Sequence, residues 1–229
     1  MLLLNKYRPI TLNNSIKQIV KTCIYRIVKD EFREHLYKNQ HGFQSKCSTI
    51  SNLQELLNIV YNRLDKHLPT DIIYIDFSKS FDSIDQNFLI QKISHICQSH
   101  KILKIIHLLL SKNCQTVKIG NQISSKHPIP SDVSQGSILS PLLFVLYIND
   151  IFDLKLTSTI IGYADDIQLI GEPGAFLQSD IDAIYEWSSN NHMSINTKQC
   201  ASIHFGIANP LTSYHINQDS IPNTTFFEI

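Results

Sequence analysis

A chain of 229 residues has room for one large domain or one and a half, and its 43% hydrophobic content can fill a core. Its 20 basic and 20 acidic residues cancel, which argues against an autonomous tight binder of nucleic acid while leaving room for a local basic groove. The 5 cysteines show no C-x-x-C spacing, which disfavours a disulfide framework or zinc site and suits reduced, intracellular thiols. From the N-terminus, Met1-Leu2-Leu3-Leu4 is too short for a signal-peptide core, and the apolar run 102–110 is too short to span a bilayer. Nothing points to a membrane or to secretion. Ile16, Ile19, Val20, Cys23, Ile24, Ile27, Val28 and Phe32 recur at helical spacing, with Asn13, Asn14 and Ser15 available as N-caps. A second helix is predicted over 51–64, carried by Leu53, Leu56, Leu57, Val60 and Leu64. Ile72-Ile73-Tyr74-Ile75 reads as a strand ending at Asp76, and helices are predicted over 86–97 and 100–111. Gly120-Asn121 is a two-residue hairpin turn between 115–119 and 122–125. Pro141 suits the first turn of a helix running to about Ile151. A hairpin follows, then a helix over 179–191 with Trp187 on its apolar side, then a strand over Ala201–Phe205. This interleaving predicts an α+β sheet with helices packed on one face.

The hairpin carries the chemistry. Tyr163-Ala164-Asp165-Asp166 sits between the β-prone runs 159–161 and 167–170, which puts both acids at or beside the turn. Adjacent carboxylates resist joint burial, so a cation or solvent must offset their charge. Asp76 ends another apolar run far upstream. Hard divalent cations such as Mg²⁺ take oxygen ligands, and two of them about 3.5–4 Å apart drive phosphoryl transfer. The pair taken alone reads more simply as a solvated turn; the rest of the chain reverses that. Asp82 and Asp85, which lead toward the next helix, read as caps or surface charge.

Six segments in collinear order make the chain resemble the reverse transcriptases of non-LTR retrotransposons, the jockey-like LINE elements in particular. Tyr7-Arg8-Pro9-Ile10-Thr11-Leu12 resembles the opening fingers motif, and Gln40-His41-Gly42-Phe43 ending in Ser48-Thr49 resembles the second. Residues 75–82 are similar to the first aspartate motif of the palm, and 134–144 to its glutamine-glycine motif. Tyr163-Ala164-Asp165-Asp166 is similar to the paired-aspartate box, and Trp187 with Asn196 to the motif after it. The resemblance implies a right-hand fold: partial fingers over 1–70, and over 71–229 a palm with a ferredoxin-like sheet and packed helices, cut before the primer grip, with no thumb. It implies an RNA-directed DNA polymerase working on an RNA template, a DNA primer and deoxynucleoside triphosphates. Asp76, Asp165 and Asp166 would be catalytic, holding two Mg²⁺ ions (Mn²⁺ as a substitute) together with the carbonyl of Phe77. Arg8, Phe81, Gln135 and Gly136 would meet the nucleotide, with Phe81 excluding a 2′-hydroxyl unless it is simply a core aromatic. Tyr163 and Lys198 would contact nucleic acid.

Departures from the family pattern weigh on the other side. Gln44 and Cys47 stand where arginines are usual, which removes two phosphate contacts. Ser134 stands where proline is common. The expected lysine three residues past Asn196 is Gln199, and strand alternation would turn Lys198 to the opposite face. Thumb and endonuclease domains are expected elsewhere in the full element protein. A second reading therefore stands beside the first: a truncated or decayed copy that keeps the palm fold, binds nucleic acid at most, and does no useful catalysis.

Overall fold

The computed structural model describes residues 15–78, 80–81, 83–110, 114–116, 118–128 and 138–224. Helix α1 (Ser15–Phe32) forms at the expected helical spacing, yet only Val28 and Phe32 are fully enclosed, and Ile16, Ile19, Val20 and Ile27 stay exposed. Helix α2 (Thr49–Leu64) starts earlier than expected because Ser48 and Ser51 form a reciprocal capping box. Strand β1 (Thr70–Ile75) is buried at every position and stops one residue short of Asp76. Asp85 caps α3 (Gln86–Ile96) by accepting from the backbone N–H groups of Asn87 and Phe88, the role its position suggested. Helix α4 (His100–Leu110) follows. Strand β2 (Cys114–Gln115) pairs with β5 (His127–Pro128), and β3 (Lys118–Ile119) with β4 (Gln122–Ile123) across the Gly120-Asn121 turn. Helix α5 (Ser140–Ile148) runs into a 3-10 turn, Asn149–Asp153. The acidic hairpin is β6 (Thr159–Tyr163) and β7 (Asp166–Gly171). Helix α6 (Ala175–Asn190) begins straight after Gly174, and the chain continues through β8 (Ala201–Phe205), β9 (His215–Ile216) and β10 (Asp219–Ser220).

Two compact units result, one from Met1–His35 with Phe81–Tyr147, the other from Leu36–Ser80 with Ile148–Ile229. The first is mainly helical and also carries the short strands β2 to β5. Its buried residues include Leu89 and Ile93 of α3, Ile106 and Leu110 of α4, and Leu142 through Tyr147 of α5. An uninterrupted apolar α5 is what a helix enclosed on all sides requires.

The second unit holds an antiparallel sheet in the order β6-β7-β1-β8. Helix α2 lays Leu56 and Val60 on the face carrying Ile72, Tyr74, Ile161 and Ile170. Leu53 and Leu57, which the sequence placed on the packing side, are 40% and 41% exposed, so the buried stripe is rotated from the expected one. Helices on a single face were expected, and here the structure differs. The opposite face carries Ile73, Ile75, Ile167 and Leu169, all buried, and α6 lies against it. Leu177 packs beside Gly171, where a Cβ would meet it in ordinary van der Waals contact at 3.4 Å, and Trp187 meets Phe77 edge-on. A central strand with apolar residues in both registers needs cover on both sides. Trp187, expected on the apolar side, is buried and donates to Asp150. The cysteines at 23, 47, 97 and 200 are free thiols. Among the described residues no helix is long and apolar enough to cross a membrane.

Candidate active site

The pairing of β1 with β7 decides the geometry. Ile75 faces Ile167 in an antiparallel register, so one further step sets Asp76 opposite Asp166. Directly opposed residues in such a pair have Cβ atoms about 4.5–5.5 Å apart. Asp166 opens β7 and pairs with Tyr163 of β6 on its other side, while Ala164 and Asp165 form the two-residue turn between them. The three predicted carboxylates are thus drawn together from two separated stretches of chain.

Neighbouring side chains hold them there. Asn196 donates from Nδ2 to Asp76 Oδ2 (3.1 Å) and from its backbone N–H to the Asp76 carbonyl (2.8 Å). Ser80 is buried, with its hydroxyl 2.6 Å from Asp165 Oδ2 and 2.9 Å from the Phe77 carbonyl. A hydroxyl has one proton, so it donates to one of these acceptors at a time. Ala164 adopts a left-handed conformation, φ 56°, which costs a non-glycine residue about 1–2 kcal/mol. The amide of Gln40 meets that residue on both sides, accepting from Ala164 N–H (2.8 Å) and donating to Ala164 O (3.0 Å).

The electrostatics follow from the crowding. The Asp166 carboxyl is pushed up to about 6, first by the protein packed around it and then by repulsion from Asp165 and Asp76, although the side chain keeps solvent access. Burial also pushes the neighbouring Cys200 thiol up to about 11, so it stays protonated at neutral pH. A carboxyl raised from 3.8 to about 6 favours folding in its protonated form. Its stabilising contribution is complete below about pH 4 and is lost as pH rises through 6. In chelator, Asp166→Asn should therefore melt level with the parent at or below about pH 4 and above it at pH 7.5. A constant difference across that window would show that the Asp166 carboxyl is not raised by its surroundings in the folded chain.

An all-oxygen set of three carboxylates, the Phe77 carbonyl and the Ser80 hydroxyl suits hard divalent cations. Among the described residues no three His, Cys, Asp or Glu side chains converge as a preformed cage, so the fit rests on donor chemistry and on the concentrated negative charge.

The remaining expected site residues are placed as follows. Tyr163 ends β6, half-buried beside Asp166. Phe81 lies in the helical unit, half-buried, its ring stacked on the enclosed Phe144 at 4.4 Å. Lys198 is exposed in a turn before β8, so strand alternation does not govern its direction as the sequence argument assumed. Arg8, Gln135 and Gly136 lie outside the described residues, as do Asp82 and the 129–137 segment. Ser80, Asn196 as a partner of Asp76, and Gln40 as a partner of the turn escaped the sequence reading. Only the motif strings around Gln40, Ser80 and Asn196 marked them.

The family model described as reverse transcriptase (RNA-dependent DNA polymerase) matches residues 4–222. The chain belongs to the reverse transcriptase family. Members of this reverse transcriptase family use divalent metal ions. Similar sequences are the RNA-directed DNA polymerase from mobile element jockey of Drosophila melanogaster, 23% identical over 216 residues, and that of Drosophila funebris, 26% identical. Both matches cover 88% of this reverse transcriptase chain and 24% of the relative, so the chain spans about a quarter of the length of these curated relatives. The probable RNA-directed DNA polymerase from transposon X-element of Drosophila melanogaster is 27% identical over 70% of the chain and 18% of its own length. These relatives support a non-LTR, LINE-like reverse transcriptase domain. Among solved structures, telomerase from Candida tropicalis in complex with a TWJ fragment of telomeric RNA superposes with a TM-score of 0.63. That match is at 14% identity, over 93% of this chain and 38% of telomerase. The apo Candida tropicalis telomerase lacking its C-terminal domain gives 0.60 at 16% identity, over 88% and 42%. The likeness shows the fold: a right-hand architecture with palm and partial fingers.

Proposed function

We propose that this chain is the polymerising core of an RNA-directed DNA polymerase from a non-LTR retrotransposon. It would extend a DNA primer along an RNA template with deoxynucleoside triphosphates. The observation that supports this most is the register that sets Asp76 opposite Asp166 with Asp165 in the adjoining turn. In this reading Asp76, Asp165, Asp166 and the Phe77 carbonyl would hold two Mg²⁺ ions. When bound, such ions would supply charge to ease deprotonation of the primer 3′-hydroxyl and to offset the leaving pyrophosphate. The chain's own contribution is alignment: Asn196 and Ser80 hold the acids, and Tyr163 borders them where the primer end would lie. Arg8, Gln135 and Gly136 are proposed to contact the incoming nucleotide, and Lys198 the nucleic acid. The division into fingers over 1–70 and palm over 71–229 is part of the same proposal. Thumb and endonuclease domains are proposed for the full element protein; the chain spans about a quarter of the length of the jockey relatives, which leaves room for them.

Primer extension on an RNA template tests it. The chain should add nucleotides complementary to the template only with Mg²⁺ or Mn²⁺ present, and should dissociate after few additions, because its neutral charge gives little backbone attraction. Template-primer binding with no incorporation under any of these conditions would favour the decayed-copy reading.

Phe81 allows a second test. As a sugar-selecting residue, Phe81→Val should narrow the preference for deoxynucleotides over ribonucleotides by about tenfold or more, as a shape-based filter does. Its stack on Phe144 adds a stability loss of about 1–2 kcal/mol. Equal loss of both activities together with a lower melting temperature would mark Phe81 as a packing residue alone.

A further inference from the structure

The segment Asn39–Gly42 lies against the acidic hairpin from outside the sheet. His41 N–H donates to Gly162 O (2.7 Å) and Gly162 N–H to Asn39 O (2.8 Å), an isolated parallel bridge beside β6. The Gln40 side chain, 0% exposed, continues that pairing past the end of the backbone ladder. Its amide offers an acceptor and a donor side by side, the same pair of groups a neighbouring strand would present. Ala164 uses both, and Oε1 also accepts from Gly42 N–H (2.7 Å). At Gly42 the two backbones nearly touch: a Cβ there would lie 2.1 Å from Ala164 N and 2.7 Å from its Cα, so only glycine fits. The segment is anchored in turn, because the buried His41 ring contacts Ser51 Oγ (2.9 Å) and Glu55 Oε2 (2.7 Å) on α2.

We propose that Gln40 and Gly42 are positioning residues that fix the Ala164-Asp165 turn, and thereby hold the carboxylates of Asp165 and Asp166 toward that of Asp76 for cation binding. This rests on the two-ion reading above and adds the part of the chain that sets its geometry. A two-residue turn whose first member is a left-handed alanine has no local glycine to hold it. A buried amide that satisfies both polar groups of that alanine supplies the restraint from more than 120 residues upstream. Glutamine is the residue that can do this. Leucine has the length without the polar groups, and glutamate keeps the acceptor while losing the donor.

The test uses the whole chain and two readouts: backbone hydrogen exchange at the Ala164 amide, and Mn²⁺ titration followed by electron paramagnetic resonance. Gln40→Leu and Gly42→Ala should each speed Ala164 exchange by about tenfold or more, while the amides of Ile72 and Ile73 in β1 keep their protection. Both should weaken the Mn²⁺ binding that Asp165→Asn removes, by about tenfold, the result of misplacing a ligand by a fraction of an ångström. Gln40→Glu, which still accepts from Ala164 and Gly42, should restore most of the Ala164 protection. Gly42→Ala alone carries the comparison if the leucine variant also loses protection in β1. Faster exchange at Ala164 with Mn²⁺ affinity within twofold of the parent would overturn the proposal, and so would unchanged exchange. If the parent chain itself binds no Mn²⁺ sensitive to Asp165→Asn, the two-ion function fails. The exchange data then decide separately whether Gln40 holds the turn.

Discussion

Asp165→Asn is expected to abolish primer extension, lowering single-nucleotide incorporation by about a thousandfold or more. In the proposed function the Asp165 carboxylate would help hold two cations, a stabilisation of several kcal/mol, each 1.36 kcal/mol being a factor of ten in rate. The amide is nearly isosteric, so the Ser80 contact keeps its length, with the hydroxyl facing a neutral oxygen or turning to the Phe77 carbonyl instead. The turn should survive, because its restraint comes from Gln40 acting on the backbone of Ala164. The melting temperature in chelator should hold or rise as repulsion with Asp166 is relieved. Single-turnover incorporation checks the first statement and calorimetry the second. Extension that survives the substitution would mean that another polymerase is present or that Asp165 is not a ligand.

The largest stability effect is expected at the other end of β1. Asp71 is fully buried, and its carboxylate accepts from His204 Nδ1 (2.8 Å), Asn209 Nδ2 (2.7 Å) and the Tyr214 hydroxyl (2.6 Å). Tyr214 is itself enclosed and stacks on His204, and burial followed by its bond to Asp71 drives its phenol well above the ordinary range. Asp71→Ala would leave the buried Tyr214 hydroxyl and the His204 ring without this acceptor, while Asn209 Nδ2 keeps the carbonyls of Phe205 and Thr70, and should cost about 3–5 kcal/mol. By contrast Asp85→Ala, which removes one helix cap, should cost about 1 kcal/mol. Urea denaturation of the two variants measures both. A loss below about 1 kcal/mol for Asp71→Ala would show that the cluster does not hold β1, β8 and the 209–214 segment together.

Elements written as local pattern were legible in the sequence. The strand at Ala201–Phe205, the acidic hairpin and the Gly120-Asn121 turn emerged from apolar runs and turn residues, and Asp85 announced its cap. Pairing was not legible from local pattern. Strand β1 lies between β7 and β8, far apart in the chain (Ile72 pairs with Ile170 on one side and Ile203 on the other), and a run of isoleucines states only that a strand is buried. Hence α6 on the second face of the sheet was unexpected. The buried stripe of α2 was also misassigned, since Leu53 and Leu57 carry the same helical period as Leu56 and Val60 and only contact with the sheet distinguishes them. In the site, the three aspartates stood out because adjacent acids beside apolar strands are costly. Their supports did not. Gln40 is an ordinary glutamine until Ala164 lies against it, and Lys198 defeated an argument from alternation because its segment is a turn.

Anomalous diffraction from crystals soaked in Mn²⁺, collected at the manganese edge, tests the central claim most directly. The expected result is two peaks about 3.5–4 Å apart, each within about 2.0–2.3 Å of an oxygen of Asp76 or Asp165. A map with manganese bound elsewhere and no peak in contact with either carboxylate would contradict the assignment of this site.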